Sequence, residues 1–169
     1  MIVSILKYGA PELRKVSERV TEFNGKLEEI AANMMETMYS ASGVGLAAPQ
    51  IGINIRLITI NTTGGEEKDK EIIICNPEIM HSEGKQTGDE GCLSLPSFCE
   101  TVARPEKVDI KGQDLKGNEL KIEADGMLAR VLSHEIDHLN GVLFIDRISS
   151  LKRTLIRNKI KKLSKAGEW

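Results

Sequence analysis

No apolar run in this sequence approaches the about 18 residues that a membrane-crossing helix needs. The opening stretch Met1-Ile2-Val3-Ser4-Ile5-Leu6 is broken at once by Lys7 and lacks the basic start of a secretion signal. A soluble, unexported protein is expected. Charge of one sign is not in surplus either: 23 Lys plus Arg stand against 25 Asp plus Glu. That balance gives no global attraction to nucleic acid or an anionic membrane, so any basic contact must be local and no sequence-specific nucleic-acid binding is expected. Cysteine is scarce. Cys75, Cys92 and Cys99 are an odd set with no Cys-x-x-Cys unit, which argues against a disulfide framework, a zinc ribbon or a redox dithiol and favours a reducing cytoplasm. Repeats and low-complexity tracts are also absent, and 169 residues fit one domain with a core of its own.

What is present reads as an α+β chain. Leu27, Ile30, Ala31, Met34, Met35 and Met38 recur at helical spacing after Asn24, a residue suited to capping, and predict a helix over 25–41 with a methionine-rich core face. A β-rich middle follows, with runs Ile55–Asn61, Glu71–Met80, Glu100–Ala103 and Val108–Gln113 set between Gly, Pro and Asn breakers. The polar stretch 62–70 reads as a hairpin loop, and Asp114–Asn118 as a turn into a strand near Leu120–Glu123. A second helix should run from after Asp125 to about Leu139, where Asn140-Gly141 stops it, and Ser149 or Ser150 should cap a third over Leu151–Leu163. The expected fold is therefore mostly antiparallel sheet around a central helix, with a helix in the N-terminal half and another at the C-terminal end. The basic run on the third helix, from Lys152 to Lys162, has the ordinary reading of a solvated face.

Chemistry enters with His134-Glu135-Ile136-Asp137-His138. The i, i+4 spacing on a helix puts both imidazoles on one face, where they can grip one metal ion. Glu135, next to the first of them, can reach a coordinated water without taking a ligand position, as a general base must. A catalytic ion needs a third protein ligand. The metzincin arrangement is closed because Phe144 stands where the third histidine belongs. The thermolysin arrangement needs a downstream glutamate, and only Glu168 in the charged tail follows. His81, after a strand, reads as a surface residue, so the third ligand is sought upstream. There Cys92 lies among glycine and polar residues in Gly88-Asp89-Glu90-Gly91-Cys92-Leu93-Ser94-Leu95-Pro96, whereas Cys75 sits in an apolar run and reads as core.

Three segments together, Gly43-Val44-Gly45-Leu46-Ala47-Ala48-Pro49-Gln50, Glu90-Gly91-Cys92-Leu93-Ser94 and His134 to His138, resemble in order the signature motifs of the peptide deformylases. The similarity extends across nearly the whole chain, including the terminal helix of the common bacterial form. The resemblance implies a metal-dependent hydrolase that takes the formyl group from N-formylmethionine at the start of nascent chains and releases formate. It implies Cys92, His134 and His138 as ligands of one divalent ion, natively Fe2+, with Zn2+ or Ni2+ able to occupy the site. Glu135 would move the proton, and the Gln50 amide and Leu93 N–H would meet the charge on the carbonyl oxygen. Gly45 would bond the substrate main chain, with Val44 and Glu90 as neighbouring substrate contacts. Met127 and Val131, seven and three residues before His134 on the ligand-bearing side, are predicted to line a slot for the methionine side chain. The terminal helix would dock on the ribosome near the exit tunnel.

Two positions depart from the family pattern. Cys99 replaces an arginine that many relatives use to contact the peptide further along, and Arg130 stands where an apolar residue is usual. Arg130 is expected to rim the cleft or to point to solvent. A zinc peptidase or another metal-dependent amidase is the rival enzyme reading. A structural metal site in a binding module would need more thiolates and would leave Glu135 without a task.

Overall fold

In the computed structural model, which describes residues 1–169, the chain forms three long helices and seven strands: α1 (Gly25–Ser40), β1 (Gly45–Ala47), β2 (Leu57–Ile60), β3 (Ile72–Glu83), β4 (Gln86–Cys92), β5 (Leu95–Arg104), β6 (Lys107–Gln113), β7 (Glu119–Asp125), α2 (Gly126–Leu139) and α3 (Ser150–Lys165). The α+β expectation holds. Five strands form one antiparallel sheet in the order β1-β2-β3-β6-β7, and β4 with β5 forms a separate hairpin.

Strand β2 shows how the core is built. All four of its residues are buried, because alternate side chains meet different helices. Leu57 joins α1 residues Leu27, Ala31, Met34 and Met38 in one apolar cluster. Ile58 and Ile60 join Ala129, Leu132, Ile136 and Leu139 of α2 in another. The sheet is thus held between α1 and α2, and the methionine stripe of α1 is core, as its spacing predicts. A third cluster lies outside this sandwich, where Ile156 and Ile160 of α3 meet Phe144, Ile145, Leu95 and Val102.

The starts of α1 and α3 follow their capping chemistry, whereas Asp125 before α2 makes no side-chain cap bond. Asn24 Oδ1 accepts from Leu27 N–H at 3.1 Å, and Ser149 Oγ accepts from Lys152 N–H at 3.2 Å. Helix α2 ends at Leu139, with Gly141 at φ 72°. A methyl group at 141 would lie 2.5 Å from the Arg14 carbonyl oxygen, so glycine is required for the approach as well as for the φ. The 62–70 stretch does join antiparallel neighbours β2 and β3. In the turn from β6 to β7, Asp114 accepts from the Lys116 and Asn118 N–H groups, both at 2.9 Å.

Two strands differ from the expectation. The 43–48 stretch, also legible as a tight turn, contains β1, in which Gly45 pairs with Ile60 and Ala47 with Ile58. The run expected at 100–103 begins earlier, at Leu95, and is preceded by β4, whose Gly88, Asp89, Glu90 and Gly91 have low strand propensity. Pairing with β5 makes β4 a strand, and the two-residue turn Leu93-Ser94 joins them, with Cys92 opposite Leu95.

Candidate metal centre and catalytic cleft

Three elements meet at one place: α2 with its two histidines, the end of β4 with Cys92, and the segment from Gly43 to Gln50. The Cys92 Sγ lies 3.3 Å from His138 Nε2, which lies 3.2 Å from His134 Nε2. The ligand atoms of these three residues all fall within 4.8 Å of one another. His134 and His138 cannot both be protonated at such a separation. Burial works against the charge on His134, but acceptance by Cys92 and Glu90 prevails and holds its pKa well above the usual value. Burial and the facing His134 hold His138 well below. One sulfur with two imidazole nitrogens is a donor set suited to a borderline-soft divalent ion.

Glu135 stands beside the donors, 3 % exposed, and its Oε2 is buried without a hydrogen-bond partner. Burial pushes its pKa up to about 7, the nearby Glu90 adding to the effect and His134 opposing it. A carboxyl group poised near neutrality suits proton transfer. Space for it is made by Gly45: a methyl group there would lie 2.5 Å from Glu135 Oε1 and 2.9 Å from Val131 Cγ1. Gln50 is fixed from both ends, its Oε1 accepting from Ala47 N–H at 2.9 Å. Its Nε2 donates to Ser94 Oγ at 3.1 Å and faces Cys92 Sγ at 3.6 Å. Leu93 lies in the hairpin turn directly over Gly43, where a methyl group would be 2.7 Å from its Cδ1.

These groups open into a cleft of about 410 Å³, whose walls include Val44, Gly45, Leu93, Met127 and Val131. Met127 is half exposed at 53 %, and Val131 is buried.

A family model described as polypeptide deformylase matches residues 2–154. The chain belongs to the polypeptide deformylase family. A curated peptide deformylase of Acidobacterium capsulatum is 50 % identical over 169 residues, covering 100 % of this chain and 99 % of the relative. That of Thermodesulfovibrio yellowstonii is 51 % identical over 160 residues, covering 95 % and 97 %. The crystal structure of a peptide deformylase from Legionella pneumophila matches with a TM-score of 0.91 at 44 % identity, covering 99 % of this chain and 98 % of that one. As a deformylase, the chain is an enzyme of the amidohydrolase type.

In the wall of the deformylase cleft, Glu90 and Arg130 belong to a buried ionic network. Glu90, expected among the substrate contacts, lines the cleft, and its carboxylate is held by neighbouring side chains. It accepts from His134 Nδ1 at 2.5 Å, from Arg104 Nη2 and Nε at 2.5 and 3.1 Å, and from Arg130 Nη1 at 2.8 Å. Burial raises its pKa, but the His134 and Arg104 bonds prevail and hold it far below the usual carboxylate range. Arg130, expected at the rim or in solvent, lines the cleft but is 6 % exposed, so it does not point to solvent. The carboxylate of Glu90 attracts it inward, and the carbonyl of Val102 takes a second bond at 3.0 Å. Asp137 extends the network by accepting from Arg104 Nη1 and Arg147 Nε, both at 2.6 Å.

Arg104, Asp137 and Arg147 were not singled out by the sequence reading. Asp137 carried a signal, a carboxylate one residue before a histidine on a helix otherwise turned to the core. The arginines carried none, because their partners are remote in the chain. His81 is exposed and Cys75 buried, as expected.

Proposed function

We propose that residues 1–169 act as one catalytic unit that hydrolyses the formyl amide of N-formylmethionyl peptides and nascent chains in the bacterial cytoplasm, releasing formate. Cys92, His134 and His138 would hold one divalent ion, Fe2+ in the cell, with Zn2+ or Ni2+ able to take its place in purified protein. When bound, such an ion supplies Lewis acidity and lowers the pKa of water toward about 7. The observation that carries this reading is the convergence of one sulfur and two imidazole nitrogens beside a buried, unpartnered carboxylate.

The chain's own groups divide the remaining tasks. Glu135 takes a proton from the attacking water and returns it to the departing amine, and its isolation from other hydrogen bonds leaves it free to do both. The Gln50 amide and the Leu93 N–H meet the negative charge that develops on the carbonyl oxygen, each such donor being worth about 3 kcal/mol of barrier. Gly45, in the short strand β1, bonds the peptide main chain, with Val44 alongside it. Main-chain recognition tolerates any following residue, as an enzyme acting on many nascent chains requires. Met127 and Val131 form the slot for the methionine side chain. Glu90, in the cleft wall, orients His134 through its Nδ1–H.

Formate release from formyl-Met-Ala by oxygen-free protein tests the assignment. Glu135→Gln should lower kcat by at least a hundredfold while the protein still binds metal, and chelation should abolish turnover that added Fe2+ or Ni2+ restores. Activity in Glu135→Gln close to the unaltered enzyme's would exclude the mechanism.

A second proposal concerns α3. Its residues Arg157, Lys159, Lys161 and Lys162 are all exposed, as are Leu151 and Leu155, and this mixed basic and apolar surface supports docking on the ribosome near the exit tunnel. Deleting the helix would also strip Ile156 and Ile160 from the core, so charge reversal is the cleaner test. Arg157→Glu with Lys161→Glu should sharply reduce co-sedimentation with ribosomes at low salt, and an unchanged pellet would remove the idea.

A further inference from the structure

Helix α2 brings two donor side chains and the β4–β5 hairpin brings the third. The distance between these two elements therefore decides whether one ion can meet all three. Glu90 of β4 spans the gap directly by accepting from His134 Nδ1 at 2.5 Å, and buried arginines span it on either side. Arg104 of β5 reaches Glu90 within the hairpin and Asp137 on α2, one residue before His138. Arg130 of α2, one turn before His134, reaches the other way. Its Nη1 donates to Glu90 Oε2 of β4 at 2.8 Å and to the Val102 carbonyl of β5 at 3.0 Å. One guanidinium starts one turn before His134 and the other ends on Asp137 beside His138, and Glu90 is two residues from Cys92.

The fit around Arg130 is close. A methyl group at Gly88 of β4 would lie 3.3 Å from Arg130 Nη2, so glycine there lets the strand lie against the guanidinium. Nη2 itself is buried without an acceptor. Burying a donor in that state is unfavourable, and a methionine of similar length would fill the space without that cost.

We propose that Arg130 is a positioning residue for the metal ion, a strut that sets the separation between the Cys92 thiol and the His134–His138 pair. The role presupposes the metal site proposed above. With the Arg104–Asp137 and Glu90–His134 contacts still in place, loss of Arg130 lets β4 shift against α2 around them without releasing the hairpin. The consequence falls on donor geometry more than on folding.

Cobalt substitution tests this, because visible d–d bands and a near-ultraviolet thiolate-to-metal band report donor geometry independently of turnover. Metal-free Arg130→Met loaded with Co2+ should show shifted bands and lose the ion to a chelator about 10- to 100-fold faster than the unaltered protein. With the enzyme reloaded with Fe2+ or Ni2+, kcat for formyl-Met-Ala should fall more than KM changes, and Arg130→Lys should recover part of the spectrum and of kcat. Gly88→Ala, which presses on the guanidinium by a few tenths of an ångström, should move spectrum and release rate in the same direction by less, and it serves if Arg130→Met does not fold. A folded Arg130→Met, or failing that Gly88→Ala, with unaltered spectrum and release rate would overturn the strut. If the unaltered protein itself gives no thiolate-to-cobalt band, the metal reading fails first.

Discussion

A methyl group added at position 45 meets two atoms that matter, Glu135 Oε1 at 2.5 Å and Val131 Cγ1 at 2.9 Å. Gly45 has an ordinary strand conformation, so Gly45→Ala costs no backbone strain, and the collision falls on the carboxylate that handles the proton. A displacement of about 1 Å at a reacting group can cost about 100-fold in rate. Gly45→Ala should therefore lower kcat for formyl-Met-Ala by one to two orders of magnitude, roughly, while the melting temperature changes by only a few degrees. Steady-state kinetics beside thermal melts would check this, and unchanged kcat would show that Glu135 is not held where the structure has it. At this scale the sequence was most legible where spacing alone sets geometry. His134, Glu135 and His138 follow from one helical turn, but the arginines around them acquire meaning only when β5 and α2 bring Arg104, Arg130 and Glu90 together.

The helices were readable as elements because their caps and apolar spacing are local: Asn24 and Ser149 bond the N–H groups that sequence alone assigns to them. Strands β1 and β4 were not, since a glycine-rich stretch becomes a strand only when a partner supplies its hydrogen bonds. The element joining α2 to α3 was equally silent in the sequence. Its short turn Phe144–Arg147 presses Phe144 between the hairpin and α3, among Leu95, Val102, Ile156 and Ile160. The Phe144 ring also stacks on His134, with centroids 6.4 Å apart. Phe144→Ala removes the largest fully buried side chain of that cluster and should cost about 3–5 kcal/mol of stability. Urea unfolding followed by circular dichroism measures it directly, and a loss below about 1 kcal/mol would mean that α3 is not held through this cluster.

At the scale of the whole molecule, the early and late parts of the chain are tied together by Arg14 and Asp146, which form a 2.5 Å ion pair across 132 positions. Asp146 also accepts from the Leu143 N–H at 2.8 Å, so one carboxylate both closes a turn and joins distant segments. Burial works against its ionisation, but the Arg14 and Leu143 hydrogen bonds prevail and hold its pKa below the ordinary value. A carboxyl group depressed in the folded state takes up its proton more readily in the unfolded chain as pH falls. Its contribution is complete above the unfolded pKa of about 3.9 and disappears as pH falls through the lower folded value. Both side chains keep partial contact with water, at 38 % and 23 % exposure, so solvent screens the pair and its share of stability is modest. Asp146→Asn cannot form the ion pair at any pH. The variant should therefore melt below the unaltered protein at pH 7, and the two melting temperatures should converge as pH is lowered from about 5 toward about 3. Melting curves of the two proteins run in parallel across that window, with a constant gap, would show that ionisation of Asp146 does not stabilise the fold.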